Sequence, residues 1–440
     1  MKTINVEAPI YEPKSGASLI KITDNTGGTA VINIDFETLL PFANKASKEV
    51  LDFFIISSTV YGIDRFVERK ANSLDGWSRE LNVSLPVHDP LKWNPCKDEL
   101  NKVLSFLTGD YWDVSFRKEN FNFPKANLAK EFLTPFSQVN LFSGGLDSLI
   151  GALDFLKSKP KEKVLFVSHY DSQMKGPKGD QKNLINELEK KYPNQFLYIP
   201  SIRVFLKKTN RNRETTFRSR SILFIGIALL AAEATNTKKI IVPENGTVSL
   251  NFPLSTSRRS SLSTRTTHPH VLETILSIWH KLSISKTVQN PYEFKTKGQM
   301  VNSCLDAANL SKLVIMSNSC GKRGHRTHWQ IPDASHCGVC MPCAYRQASL
   351  ATKVDKTTYG NSINSLTPFL SKKSQDVGAC LNFLKEHITK EEIKQELIVN
   401  GIKNQTKLNF YVNVVWDTRK ELTKWVKKVG NSTIKTKAGL

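Results

Sequence analysis

The sequence has no apolar run long enough to cross a bilayer. The longest, Ser221 to Ala232, is flanked by Arg220 and Glu233 and falls short of the roughly 20 residues a spanning helix needs. Met1 to Glu7 holds no apolar stretch of signal-peptide length, so a soluble, cytoplasmic protein with no membrane partner is expected. No fixed period marks a repeat architecture. Acids are scarce beside bases: Asp+Glu 40 against Lys+Arg 62 in 440 residues gives a formal net charge of +22. That excess favours polyanionic partners such as nucleic acid, nucleotide or an acidic protein surface, and it equally suits a solvated basic surface. Cysteines number only seven, an odd count. In a reducing compartment they point to ligands rather than disulfides. A hydrophobic content of 40% excludes wholesale disorder, and the length suits two or three domains.

Three stretches read differently. Residues 1–138 carry mixed strand and helix signals and are expected to form an N-terminal α+β accessory region. Ala30 to Phe36 alternates apolar and polar residues as a half-buried strand does. Lys48 to Ile63 is apolar enough for a helix or a buried strand, and periodicity alone does not separate the two. No motif with chemistry stands out before residue 139. Residues 139–350 alternate strand-like and helix-like segments, with strands expected at Val139–Phe142, Val164–Ser168, Gln195–Ile199, Lys239–Val242 and Lys312–Met316. Helices are expected around 149–156, 183–189, 221–235 and 300–309. Such alternation predicts an α/β fold with a doubly wound, mostly parallel sheet, whose ligands bind at the carboxyl ends of the strands. Residues 351–440 read as a basic helical extension, with Lys424, Lys427 and Lys428 spaced for one helix face. Such a run is either a solvated face or a docking surface for something anionic.

The sharpest feature is Leu141-Phe142-Ser143-Gly144-Gly145-Leu146-Asp147-Ser148. A strand delivers a Gly-rich turn into the start of a helix. Two glycines free the backbone to approach a ligand, and the first helical amides form a concave donor set for an anion. Ser143 and Ser148 add hydroxyls. Asp147 cannot attract phosphate, so it either orders the turn or helps hold Mg²⁺. The pattern is neither Walker A nor G-x-G-x-x-G.

A second cluster lies downstream. Cys337, Cys340 and Cys343 stand at two-residue separations, with Cys320 upstream. Four thiolates make a closed tetrahedral Zn²⁺ site. An iron–sulfur cluster would also use such spacing, and His325, His328 or His336 could replace Cys320. Cys96, Cys304 and Cys380 have no ligand-like company and read as small buried hydrophobes.

The Ser143–Ser148 turn resembles the PP-loop of the ATP pyrophosphatase superfamily, which cleaves ATP between its α- and β-phosphates. With the cysteine cluster after it, the chain is similar to the 7-cyano-7-deazaguanine synthase (QueC) family. Arg220-Ser221-Ile222-Leu223-Phe224, Val242-Pro243-Glu244 and the Cys337–Cys343 segment with Arg346 carry the rest of that resemblance. The resemblance implies ATP, Mg²⁺ and Zn²⁺ as cofactors. Ser143, Gly144, Gly145, Leu146, Asp147 and Ser148 would then bind nucleotide, Asp147 and Arg220 act in catalysis, Arg218 and Glu244 contact substrate, and Cys320, Cys337, Cys340 and Cys343 hold the metal. The family adenylates 7-carboxy-7-deazaguanine and passes it to ammonia in queuosine biosynthesis.

The chain differs from the compact members of that family. Arg218-Ser219 replaces a Pro-Gly, Asn245 to Pro253 replaces an acidic substrate loop, and long arms flank the core. In this it looks like the QueC-like proteins of bacterial anti-phage defence systems such as Qat. That likeness implies a partner protein from the same operon, whose amine could replace ammonia. Alternatives of other kinds are an asparagine-synthetase-like amidotransferase, an RNA-modifying or thiolating enzyme, and a nucleotide-sensing or nucleic-acid-binding module without turnover.

Overall fold

The computed structural model describes residues 1–171, 176–255, 265–351, 355–365 and 375–440. Among them, eleven strands form one sheet. They are β1 (Lys2–Val6), β2 (Ile10–Glu12), β3 (Ala17–Asp24), β4 (Thr29–Asp35), β5 (Glu80–Val87), β6 (Tyr111–Lys118), β7 (Gln138–Leu141), β8 (Val164–Tyr170), β9 (Phe196–Thr209), β10 (Lys239–Ile241) and β11 (Thr287–Gln289). The order is β11-β10-β7-β8-β9-β4-β3-β1-β5-β6, with β2 on β3. From β11 to β9 every neighbour is parallel. The β9–β4 pair is antiparallel and joins residues before and after 138 into one sheet. The sheet is mostly parallel, as expected.

β8 reads Val-Leu-Phe-Val-Ser-His-Tyr, a continuous apolar run of the kind that parallel strands carry when both faces are covered. Its side chains divide by period two. Val164 and Phe166 pack with the Leu146–Ser158 and Pro177–Lys191 helices. Leu165 and Val167 pack on the other face with the Arg220–Ala234 and Pro269–Lys281 helices. Each such buried side chain contributes about 1.5–3 kcal/mol, so the two-sided pattern fixes the register of the whole central sheet.

Lys48 to Ile63 is a helix, Lys48–Phe66, capped by Ser47 and buried from Val50 to Phe66. Length decides it: nineteen residues is long for a strand. It lies in the same hydrophobic core as the Arg220–Ala234 helix. A buried ionic cluster fastens its end. Arg79 reaches Asp64 and Asp110 at 2.6 Å each, and Arg69 reaches Asp110 at 2.7 Å.

One expected strand is absent. Lys312 to Met316 runs from the end of the Ala307–Leu313 helix into a 3₁₀ turn, Val314–Met316. Asp306 caps that helix by accepting the Asn309 amide at 3.2 Å. A four-residue apolar run, Leu313 to Met316, does not separate strand from buried helix. The edge strand is instead β11, three residues of which only Val288 is buried, too short to show a pattern.

The C-terminal region is helical. Gln375–Lys385, Lys390–Val399 and Gln405–Val429 build a third core that includes the four clustered cysteines. Lys424, Lys427 and Lys428 all lie exposed on the longest of these helices.

Candidate functional site

The strand order reverses between β7 and β10: β8 and β9 are added on one side of β7, β10 and β11 on the other, all parallel. A crevice opens at such a switch point, at the carboxyl ends of the strands. Ser143 follows β7 and Glu244 follows β10, so the two lie at that crevice.

The turn after β7 is built as its glycines require. Gly144 has φ +81°, and a Cβ there would meet Gln181 Cγ at 3.1 Å. Gln181 Nε2 donates to the Ser143 carbonyl at 3.1 Å, and the Ser143 hydroxyl accepts the Gly145 amide at 3.3 Å. The Ser143 and Ser148 hydroxyls are 3.3 Å apart. Leu146 then opens a thirteen-residue helix whose positive end faces the turn.

Two adjoining cavities meet at this turn, sharing Ser143, Phe217, Arg220 and Gly321. The larger, about 550 Å³, is cationic on balance, with Arg65, Arg220 and Arg323 in its walls against one acid, Asp180, and His325 beside them. The smaller, about 400 Å³, has apolar walls including Leu141, Phe224, Ile225 and Val242, and polar groups at Glu244, Ser221 and Thr267. The Ser221 hydroxyl is buried without a hydrogen-bond partner among the described residues. One lobe therefore suits a polyanion and the other a flat, mostly apolar group with a few polar edges.

Arg220 stands at the junction of the lobes. Its Nε donates to His169 Nδ1 at 3.4 Å, and burial followed by the Arg220 charge holds His169 well below its usual range. Burial lowers Arg220 itself. Glu244 accepts hydrogen bonds from Thr267 Oγ1 and, at 3.3 Å, from Thr266 Oγ1. Burial pushes its carboxyl up to about 7 against those hydrogen bonds, and the Asp147 charge adds to the rise.

Arg218 is not brought to the cleft. It donates to the Thr108 carbonyl at 3.2 Å and lies 4.1 Å over the Trp77 ring. Ser219, its neighbour, bonds Asp64 through both amide and hydroxyl at 3.1 and 2.9 Å. The Arg-Ser pair thus docks the segment before Arg220 onto the N-terminal region. Asp147 is held by two side chains from later in the chain. One oxygen takes Lys297 Nζ at 2.5 Å and the other Asn245 Nδ2 at 2.6 Å. The side chain ties the turn to the segments carrying Asn245 and Lys297.

The four cysteines come together. Their sulfurs all lie within 4.8 Å of one another and are buried. Cys337 Sγ and Cys343 Sγ are 3.8 Å apart, near the separation of about 3.8 Å that two thiolates take around a tetrahedral Zn²⁺ with 2.3 Å bonds. An iron–sulfur cluster places its own iron and sulfide atoms between the ligands and needs more room. Backbone amides of Lys322 and Cys337 donate to Cys320 Sγ at 3.4 and 3.3 Å, and those of Val339 and Cys340 donate to Cys337 Sγ at 3.4 and 3.3 Å. Such amide–sulfur bonds favour the thiolate form. Cys320, Cys337, Cys340 and Cys343 could hold zinc, which would brace the fold and leave no open position. His325 lines the cationic lobe instead. His336 accepts the Ser319 amide at 3.4 Å, and burial pushes it down to about 3. Cys96, Cys304 and Cys380 are buried and free of disulfides.

The metal segment and the turn are joined directly. Asn318 N donates to the Gly144 carbonyl at 2.9 Å, and Leu146 N to Ser319 Oγ at 3.3 Å. Residues that sequence reasoning did not assign include Arg65, Lys297, Thr267 and Ser319. Arg65 and Lys297 belong to ordinary helical patterns, and nothing local marks them. Arg323, between Cys320 and Cys337, pairs with Asp180. No protein-family model, curated protein or solved structure matches the chain.

Proposed function

We propose that this chain is a QueC-like, ATP-dependent enzyme of the PP-loop type. It adenylates a carboxylate, 7-carboxy-7-deazaguanine or a close relative, and passes the acyl group to an amine. The observation that carries the reading is the Ser143–Ser148 turn at the sheet's switch point, shared by a cationic lobe and an apolar lobe. The triphosphate occupies the cationic lobe, Mg²⁺ arriving on its oxygens. The ring of the carboxylate substrate occupies the apolar lobe, with Glu244 and Ser221 at its polar edges.

The carboxylate oxygen attacks the α-phosphorus at the junction. The bond to the β-phosphate breaks, and pyrophosphate leaves with both electrons. The turn's amides and Arg220 are already in place to stabilise the charge that develops. The amine then attacks the acyl carbon, loses a proton, and AMP departs. An acyl adenylate accepts whichever amine is held beside it. The additional N- and C-terminal regions suit a protein amine, as in anti-phage defence, better than ammonia alone.

The test is to incubate the purified protein with ATP, Mg²⁺ and 7-carboxy-7-deazaguanine and to separate the nucleotides by ion exchange. AMP and pyrophosphate are expected, and Ser143→Ala and Arg220→Ala should each suppress them. ATP bound but never cleaved, with any carboxylate or amine supplied, would sink the enzymatic reading in favour of a sensor.

A further inference from the structure

Residues 1–138 show no chemical motif in sequence, yet one of them reaches the cleft. Arg65 sits in the last turn of the Lys48–Phe66 helix and lines the same cavity as Ser143, Arg220 and Arg323. We propose that Arg65 is a phosphate-binding residue of the nucleotide site, aimed at the β- and γ-phosphates that leave as pyrophosphate. The proposal rests on reading the Ser143 turn as a triphosphate cradle.

Three observations support it. First, Arg65 is oriented before any ligand arrives. Its guanidinium donates to the Glu214 carbonyl and, at 3.4 Å, to the Thr216 carbonyl, and lies 4.2 Å over the Phe217 ring. A flat fork held in this way meets an anion with little further ordering. Second, the same helix end shapes the approach to Arg220. Glu214 N donates to the Arg65 carbonyl at 2.9 Å, and Asp64 binds Ser219. Residues 214–219 are therefore fixed at both ends by two adjacent residues of one helix. Third, the charges around the turn come from three separate parts of the chain. Arg220 opens the Arg220–Ala234 helix, Arg65 lies in the last turn of the Lys48–Phe66 helix, and Arg323, paired with Asp180 in the same wall, stands between Cys320 and Cys337. Cations spread around a cavity match the dispersed charge of a polyphosphate better than a single phosphate does.

The probe is the uncleavable α,β-methylene analogue of ATP, set against AMP, with binding measured by calorimetry. Arg65→Met should weaken the analogue at least roughly tenfold, in line with loss of a charge-assisted contact, and change AMP by less than about threefold. Arg65→Lys keeps the charge but not the fork, and should fall between wild type and Arg65→Met. It also serves if Arg65→Met does not fold. Equal losses for the analogue and AMP, or unchanged affinity for both, would overturn the role of Arg65 while leaving the turn as a nucleotide site. Failure of the wild-type protein to bind the analogue at all would overturn the nucleotide site itself and Arg65's role with it.

Discussion

Lys297 Nζ lies 2.5 Å from Asp147 Oδ1, an ion pair between the first turn after the Gly-rich loop and a helix 150 residues further on. Both side chains are largely buried. Lys297 in turn opens the Lys297–Asn302 helix, whose Gly298 amide donates to Glu421 at 3.2 Å on the long C-terminal helix. The loop is thus braced, through Lys297, by the chain's last hundred residues.

That pair predicts an asymmetry. Asp147→Leu should leave a buried lysine without its partner and cost about 3–5 kcal/mol, whereas combining it with Lys297→Met should cost less than the sum of the two single changes. Urea unfolding of the four proteins of the cycle measures this. Additive costs would mean that the two side chains do not interact.

Glu244 predicts a pH dependence. Its folded carboxyl sits at about 7, above the ordinary 4.5 of a glutamate, so the native state holds a proton that the unfolded chain has released between those values. Stability should therefore fall as pH rises from about 4.5 to 7, and level off above. Glu244→Gln should flatten that part of the profile. Thermal melts at pH 5 and pH 7.5 check it, and an identical pH profile in the variant would refute the assignment.

The cysteine site predicts metal dependence that extends to the loop. Wild-type protein should carry about one zinc per chain by elemental analysis, and Cys340→Ser should lose it. Because Asn318 and Ser319 bond Gly144 and Leu146, removing the metal should also weaken nucleotide binding. A zinc-free protein with full nucleotide affinity would show that the two sites are independent.

Two neighbouring arginines should behave differently. Arg218→Ala removes a side chain stacked on Trp77 and should lower the melting temperature with little effect on ATP cleavage. Arg220→Ala should abolish cleavage at a smaller cost in stability. The reverse pattern would mean that Arg218 reaches the cleft.

The Ser143 turn and the Cys337–Cys343 spacing were legible from sequence because each is a local device. Consecutive glycines and serines, or thiols two residues apart, meet through the backbone conformation of a few residues. Strands β4 and β8 were legible for a related reason: the apolar–polar alternation of the one and the unbroken apolar run of the other are written in adjacent side chains. Lys312 to Met316 was misread because a four-residue apolar run looks alike in a strand and at a helix end.

By itself the sequence determined the mostly parallel α/β core, the loop, the thiol set and the helical, basic end. Only the tertiary structure decided that residues before 138 continue the same sheet, that Arg218 turns away while Arg65 turns in, and that Asp147 answers to Lys297. Those relations join positions about 75 to 180 residues apart. They depend on which faces pack and which charges are buried together, and no local pattern along the chain encodes that.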